Sequence, residues 1–175
     1  MKKFRPQTEH NRIEILRSCY KLMASGTWNA ISVSELEKHI RQTRGAIFYF
    51  YKNKEDLFIN MIDELFLPVF RLSDSDKKRF QDCGTDIFFS SYRFPFERVS
   101  DDLRINYNVD HPSRTMFNII AQAQKLYPKF GEIIKDAIKS ELDFLNRLLN
   151  PSKIKMIDVD QFYKNSVGRL YLDSL

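Results

Sequence analysis

From Ile31 to Leu57 the chain reads ISVSELEKHIRQTRGAIFYFYKNKEDL, and its apolar positions recur at helical rather than strand spacing. Val33, Leu36 and Ile40 fall on one face of a two-turn helix. Ser32 and Glu35 stand in the capping-box relation: the hydroxyl accepts from the N–H three residues on, and the carboxylate reaches back to the Ser32 N–H. Thr43 opens a second helix carrying Ala46, Ile47 and Phe50. Asn53 opens a third, whose Glu55 and Asp56 suit the positive end of its dipole. Three helix starts this close together are the layout of a helix-turn-helix, in which the second helix of the pair enters the DNA major groove.

The helical period extends in both directions. Upstream, Ile15, Leu16, Cys19, Leu22 and Met23 form the stripe of a first helix. Downstream, Leu57, Phe58, Met61, Ile62, Leu65 and Phe66 belong to one helix that Pro68 is expected to end or kink, with Val69 and Phe70 continuing its face. Residues 73–86 are polar and read as a connection or a helix end, and the aromatic-rich residues 87–96 stop at Pro95. Phe117, Ile119, Ile120 and Ala123 mark a helix over residues 115–126. A long amphipathic helix from Phe130 to Leu149 ends at Asn150-Pro151, and a last helix spans Val159 to Leu175. No convincing alternating strand or internal repeat is present. The expected fold is all-α: a three-helix helix-turn-helix domain over residues 1–52, then a helical effector and dimerisation domain over residues 53–175.

Charge sharpens this division. Residues 1–57 hold eleven Lys or Arg against six Asp or Glu, while the remainder holds seventeen of each sign. The whole excess of +5 therefore sits on the segment with the helix-turn-helix, an electrostatic footprint for a polyanion. A length of 175 residues suits one or two small domains. No run is long and apolar enough to span a membrane, and residues 1–12 have no apolar stretch of the secretory type. Cys19 falls on a core stripe, and it forms no metal-type pair with Cys83. His10, His39 and His111 are isolated, no glycine-rich loop is present, and no serine or carboxylate has a nucleophile setting. An enzyme, a metal site and a bound cofactor are not expected.

Residues 12–58 resemble the DNA-binding domain of the tetracycline-repressor (TetR) family of bacterial transcription regulators. Ile15-Leu16 and Leu22-Met23 match its first helix, Gly26 the glycine that closes it, and Ile31-Ser32-Val33 with Leu36 its second helix. Thr43-Arg44-Gly45-Ala46-Ile47-Phe48-Tyr49 is similar to the recognition helix, and Lys52 to Leu57 to the opening of the fourth. Two departures stand out. The turn carries Ile40, Arg41 and Gln42 where the family has a small residue, glycine and an aliphatic, so Arg41 is expected to need a left-handed backbone. The aromatic pair near the helix end is Phe48 and Tyr51 rather than Tyr and Phe. The resemblance implies a cytoplasmic, nucleoid-associated homodimer on a double-stranded DNA operator, most simply a repressor released by a small apolar effector. The alternative is a helix-turn-helix module for interaction or DNA architecture, without an effector.

The residues expected to face DNA are Ser32, Gln42, Thr43, Arg44, Gly45, Ala46, Phe48, Tyr49 and Lys54. The Arg44 fork matches the two acceptors of guanine, whereas Ser32, Tyr49 and Lys54 are expected on phosphates. Gly45 leaves room for close approach. Phe66, Phe70, Phe88, Phe89, Tyr92, Phe96, Tyr107, Phe117 and Ile120 are the candidates for an effector pocket, weighed against a plain packed core. The apolar faces from Phe130 to Leu149 and of Val159, Phe162, Tyr163, Val167 and Leu170 are expected to meet a second copy across a two-fold axis.

Overall fold

Each helix start in the first third of the chain is made by a cap that the local sequence supplies. The computed structural model describes residues 6–24, 26–40, 42–83, 88, 90–149 and 159–175, and among these every regular element is helical. Helix α1 (Pro6–Ala24) buries Ile15, Leu16, Cys19, Tyr20 and Met23. A 3-10 turn at Trp28–Ala30 leads into α2 (Val33–Ile40). Glu35 N donates to Ser32 Oγ at 3.2 Å and Ser32 N to Glu35 Oε2 at 2.6 Å, completing the capping box. Thr43 Oγ1 accepts from Ala46 N at 3.2 Å and opens α3 (Arg44–Phe50). Asn53 Oδ1 accepts from Asp56 N at 2.7 Å and opens α4, which occupies residues 54–70. Arg41, for which the turn calls for a left-handed backbone, lies outside the described residues.

The distal half of α4 departs from expectation. It is α-helical over Lys54–Met61, widens to a π-turn over Ile62–Phe66 and resumes over Leu67–Phe70, so Pro68 does not end it. A proline ring collides with the carbonyl four residues back in a regular helix and offers no N–H. In the wider turn the Leu67 N–H reaches Ile62 O, and the mismatch is absorbed upstream of the proline. Arg12 of α1 braces this turn through two bonds of 2.6 Å to the Glu64 carboxylate, while Glu9 shares the same guanidinium.

Two further prolines start helices. Pro95, expected as a stop, is the first residue of α6 (Pro95–Tyr107), and Pro112 the first of α7 (Pro112–Leu126). At that position the fixed φ is already helical and the missing N–H would have had no partner. The polar stretch after Leu72 is also a helix, α5 (Asp74–Asp82), with Ser73 Oγ accepting from Asp76 N at 3.1 Å. α6 closes on Asn108 in the left-handed region (φ 53°), with Val109 N donating to Leu103 O at 3.1 Å. α8 (Phe130–Leu149) and α9 (Val159–Leu172) follow, and Asn150-Pro151 between them lies outside the described residues.

Two apolar clusters hold these helices. The larger draws on α1, α2, α3, α4, α6, α7 and Phe130 of α8, and it crosses residue 52 without interruption. Trp28, Leu36 and Ile47 on one side share it with Leu57, Phe58 and Met61 on the other. The smaller joins Leu72, Phe80, Phe88, Tyr92 and Phe94 to Phe144, Leu145 and Tyr163. A buried ion pair ties α4, α6 and α8 together. Glu141, only 4% exposed, accepts two bonds of 2.8 Å from Arg98 and one from the Tyr92 hydroxyl. Arg98 spends its other N–H groups on the carbonyls of Val69, Phe70 and Arg93. Val69 and Phe70 end α4, so a cation sits on the negative end of that helix.

Candidate nucleic-acid interface

α2 packs on α1 and α3 on α2, which turns one face of α3 inward and leaves the other to solvent. Ile47 is buried, and Ala46, Phe48 and Phe50 are half-buried. Gln42, Thr43, Arg44 and Gly45 are exposed, and Tyr49 is 69% exposed with its ring edge-on to Phe50 at 5.0 Å. The Arg44 guanidinium lies 5.7 Å from the centre of the Phe48 ring one turn along, a contact that holds it against the outer face. A Cβ added at Gly45 would meet only Thr43 Oγ1, at 3.9 Å. Among the described residues nothing else lies within 4 Å of that position. Ser32 is exposed and serves as the α2 cap.

Lys54 is half-buried and meets Trp28. Its ammonium donates to the Trp28 carbonyl at 2.6 Å and lies 5.1 Å from the centre of the Trp28 ring. Partial burial pushes its pKa down, and Glu55 and Glu35 oppose that shift. The Trp28 N–H in turn donates to Gln122 Oε1 of α7. Asn118 and Thr115, also on α7, donate to the carbonyls of Gly26 and Ala24 at 3.4 Å each. The segment between α1 and α2 is therefore held from both sides, by the start of α4 and by α7. The sequence pattern did not single out Trp28, Gln122, Arg12 or Glu64. The signal available for Trp28 was that it is the only tryptophan and stands between two helices; the others pair across long separations that periodicity does not reveal.

The aromatic residues expected around an effector pocket touch one another. Phe66 stacks on Phe70 at 5.9 Å, Phe70 meets Phe96 edge-on at 5.2 Å, and Phe96 stacks on Phe117 at 6.3 Å. Ile120 packs against the same cluster. Phe88 and Tyr92 belong to the other cluster and stack on each other at 5.0 Å. Tyr107 packs edge-on to Tyr20 at 4.8 Å, and it alone of this set lines one of the described clefts. Phe89 lies outside the described residues. The expected set is spread over two cores, and Phe96 packs against both.

The faces expected to meet a second copy also take part in the chain's own clusters. Phe130, Phe144, Leu145 and Tyr163 are buried, and Ile133, Ile134, Ala137, Ile138 and Leu142 pack against the two clusters. Val167 and Leu170 are half-buried, while the side chains of Val159 and Phe162 lie outside the described residues. Among the described residues, the large apolar ones left exposed away from α3 are Ile105 on α6 and Tyr171, Leu172 and Leu175 at the C-terminal end. Among the described residues no group of three His, Cys, Asp or Glu could hold a metal ion, and no helix is long and apolar enough to cross a membrane. Compared with protein-family models, with curated proteins and with solved structures, the chain finds no match.

Proposed function

We propose that this chain is a sequence-specific DNA-binding regulator of transcription, working as a homodimer and most simply as a repressor. The observation that carries the reading is the outer face of α3. It is short, capped by Thr43, and exposes Gln42, Arg44, Gly45 and Tyr49 around a glycine that the fold itself does not need. The basic excess of residues 1–57 supplies the attraction to phosphate. In this reading α3 lies in the major groove, Arg44 reads a guanine edge, and Ser32 and Tyr49 fix register on the backbone. Two copies on a near-palindrome supply the contacts that one short helix lacks. Lys54 is reassigned to holding Trp28. The bracing of the α1–α2 segment by α7 supports regulation, because a shift of α7 would be felt beside the recognition helix.

A duplex selected from a random pool and titrated by fluorescence anisotropy tests this. Arg44→Ala is expected to cost about 1–3 kcal/mol per half-site and to relax the sequence preference. Affinity unchanged by that substitution, or no sequence preference in the parent, removes the reading. The filled aromatic core favours a second reading, a helix-turn-helix module without an effector in that core. Apolar dyes should then find no site there, and dye binding that displaces with loss of DNA would restore the effector pocket.

A further inference from the structure

Arg44 is exposed, and among the described residues its N–H groups have neither a hydrogen-bond acceptor nor a carboxylate partner. What it has is a ring. Its guanidinium carbon lies over Phe48, one turn along α3, at 5.7 Å from the ring centre. A cation over an aromatic face is attracted to the ring's electrons rather than to an acceptor atom. The contact therefore confines the side chain and spends none of its donors. All of them remain for a group outside the chain.

Phe48 has no other evident work. It is half-buried, yet it belongs to neither apolar cluster, and among the described residues its ring meets no other ring. Phe50 on the same helix shows the contrasting case. It packs against the larger cluster and meets Tyr49 at 5.0 Å and Tyr51 at 6.3 Å. On α5, Arg79 lies 4.9 Å from the centre of the Phe80 ring, but Arg79 is paired with Asp76 at 3.4 Å and Phe80 is a core residue. Both partners of that pair are engaged elsewhere, and neither partner of the α3 pair is. A long side chain that is confined beforehand loses less freedom when it docks, which favours the acceptor it already faces.

We propose that Phe48 is a positioning residue for sequence recognition: its ring holds Arg44 where the fork meets the two acceptors of a guanine, and it acts on DNA through Arg44. This deepens the DNA-binding reading of α3 and rests on it.

Two measurements on the full chain test the role. Without DNA, the Arg44 Cδ protons should show an upfield ring-current shift by NMR that Phe48→Leu removes. With DNA, fluorescence anisotropy gives a preference ratio, the affinity for a selected duplex over that for one with adenine at the guanines the selection enriches. Phe48→Leu keeps an apolar side chain at this half-buried position and is expected to lower the ratio about two- to fivefold per half-site. In an Arg44→Ala background the same substitution should change nothing further, whereas a purely structural role would lower both alike. Phe48→Tyr retains the ring and should keep the parent ratio. The proposal is overturned if the ring-current shift is absent, if Arg44→Ala lowers the ratio and Phe48→Leu does not, or if Phe48→Leu lowers it equally with and without Arg44. A parent with no sequence preference overturns the DNA-binding reading itself, and the role of Phe48 with it.

Discussion

Gly45 and Lys54 show how differently two residues of one motif can be constrained. Gly45 has open space where a side chain would begin, so Gly45→Ala is expected to stabilise α3 by roughly 0.5–1 kcal/mol through lost unfolded-state freedom. If the face meets DNA, the added methyl should lower affinity in the same protein. Higher stability measured by thermal denaturation together with weaker DNA binding is the expected pair of results. Lys54 is the reverse case. Its ammonium satisfies the Trp28 carbonyl, so Lys54→Ala should cost about 1–2 kcal/mol and alter the fluorescence of the single tryptophan. The salt dependence of DNA binding, measured where the variant is folded, should stay as in the parent. A slope smaller by about 1 per half-site would return Lys54 to the phosphates.

At the scale of elements, the decisive joints are polar. Arg98 gathers the end of α4, the start of α6 and Glu141 of α8, and Arg12 fastens α1 to the π-turn. Removing one member of a buried pair leaves its partner charged and unsolvated. Glu141→Leu alone is therefore expected to cost about 3–5 kcal/mol in urea denaturation, and combining it with Arg98→Met should recover much of that loss. A double variant as unstable as the sum of the singles would mean that Arg98 matters chiefly for the α4 carbonyls it caps. The exposed surface pair Arg17–Glu14 should contribute far less, since both groups remain hydrated in either state.

At the scale of the molecule, residues 1–52 do not own a core. Trp28, Leu36 and Ile47 are covered with the help of α4 and α7, so α2 and α3 share their core with the body of the chain. The surface available for a second copy is smaller than the apolar stripe of α8 suggests. Among the described residues, Ile105, Tyr171, Leu172 and Leu175 are the large exposed apolar ones away from α3, and a two-fold interface near them is the expected assembly. Light scattering should give a dimer at micromolar concentration, and Leu172→Lys should shift it towards monomer. A monomer in the parent would remove the two-site model of DNA binding.

Local chemistry was enough to locate the helix starts in the first third of the chain. Ser32 with Glu35, Thr43 and Asn53 each act within four residues, and Ile15, Leu16, Cys19 and Leu36 lie on stripes set by the helical repeat alone. What the sequence left open depends on which distant groups meet. Pro95 can stop one helix or begin the next, and Pro68 can break a helix unless a π-turn upstream makes room. The same phenylalanines can line a cavity or close it, and only the arrangement of α4, α6 and α7 put Phe70, Phe96 and Phe117 against one another. Periodicity tells which face of a helix is buried. Tertiary packing alone decides what that face is buried against, because burial has no direction in sequence, whereas a buried charge such as Glu141 requires one particular partner.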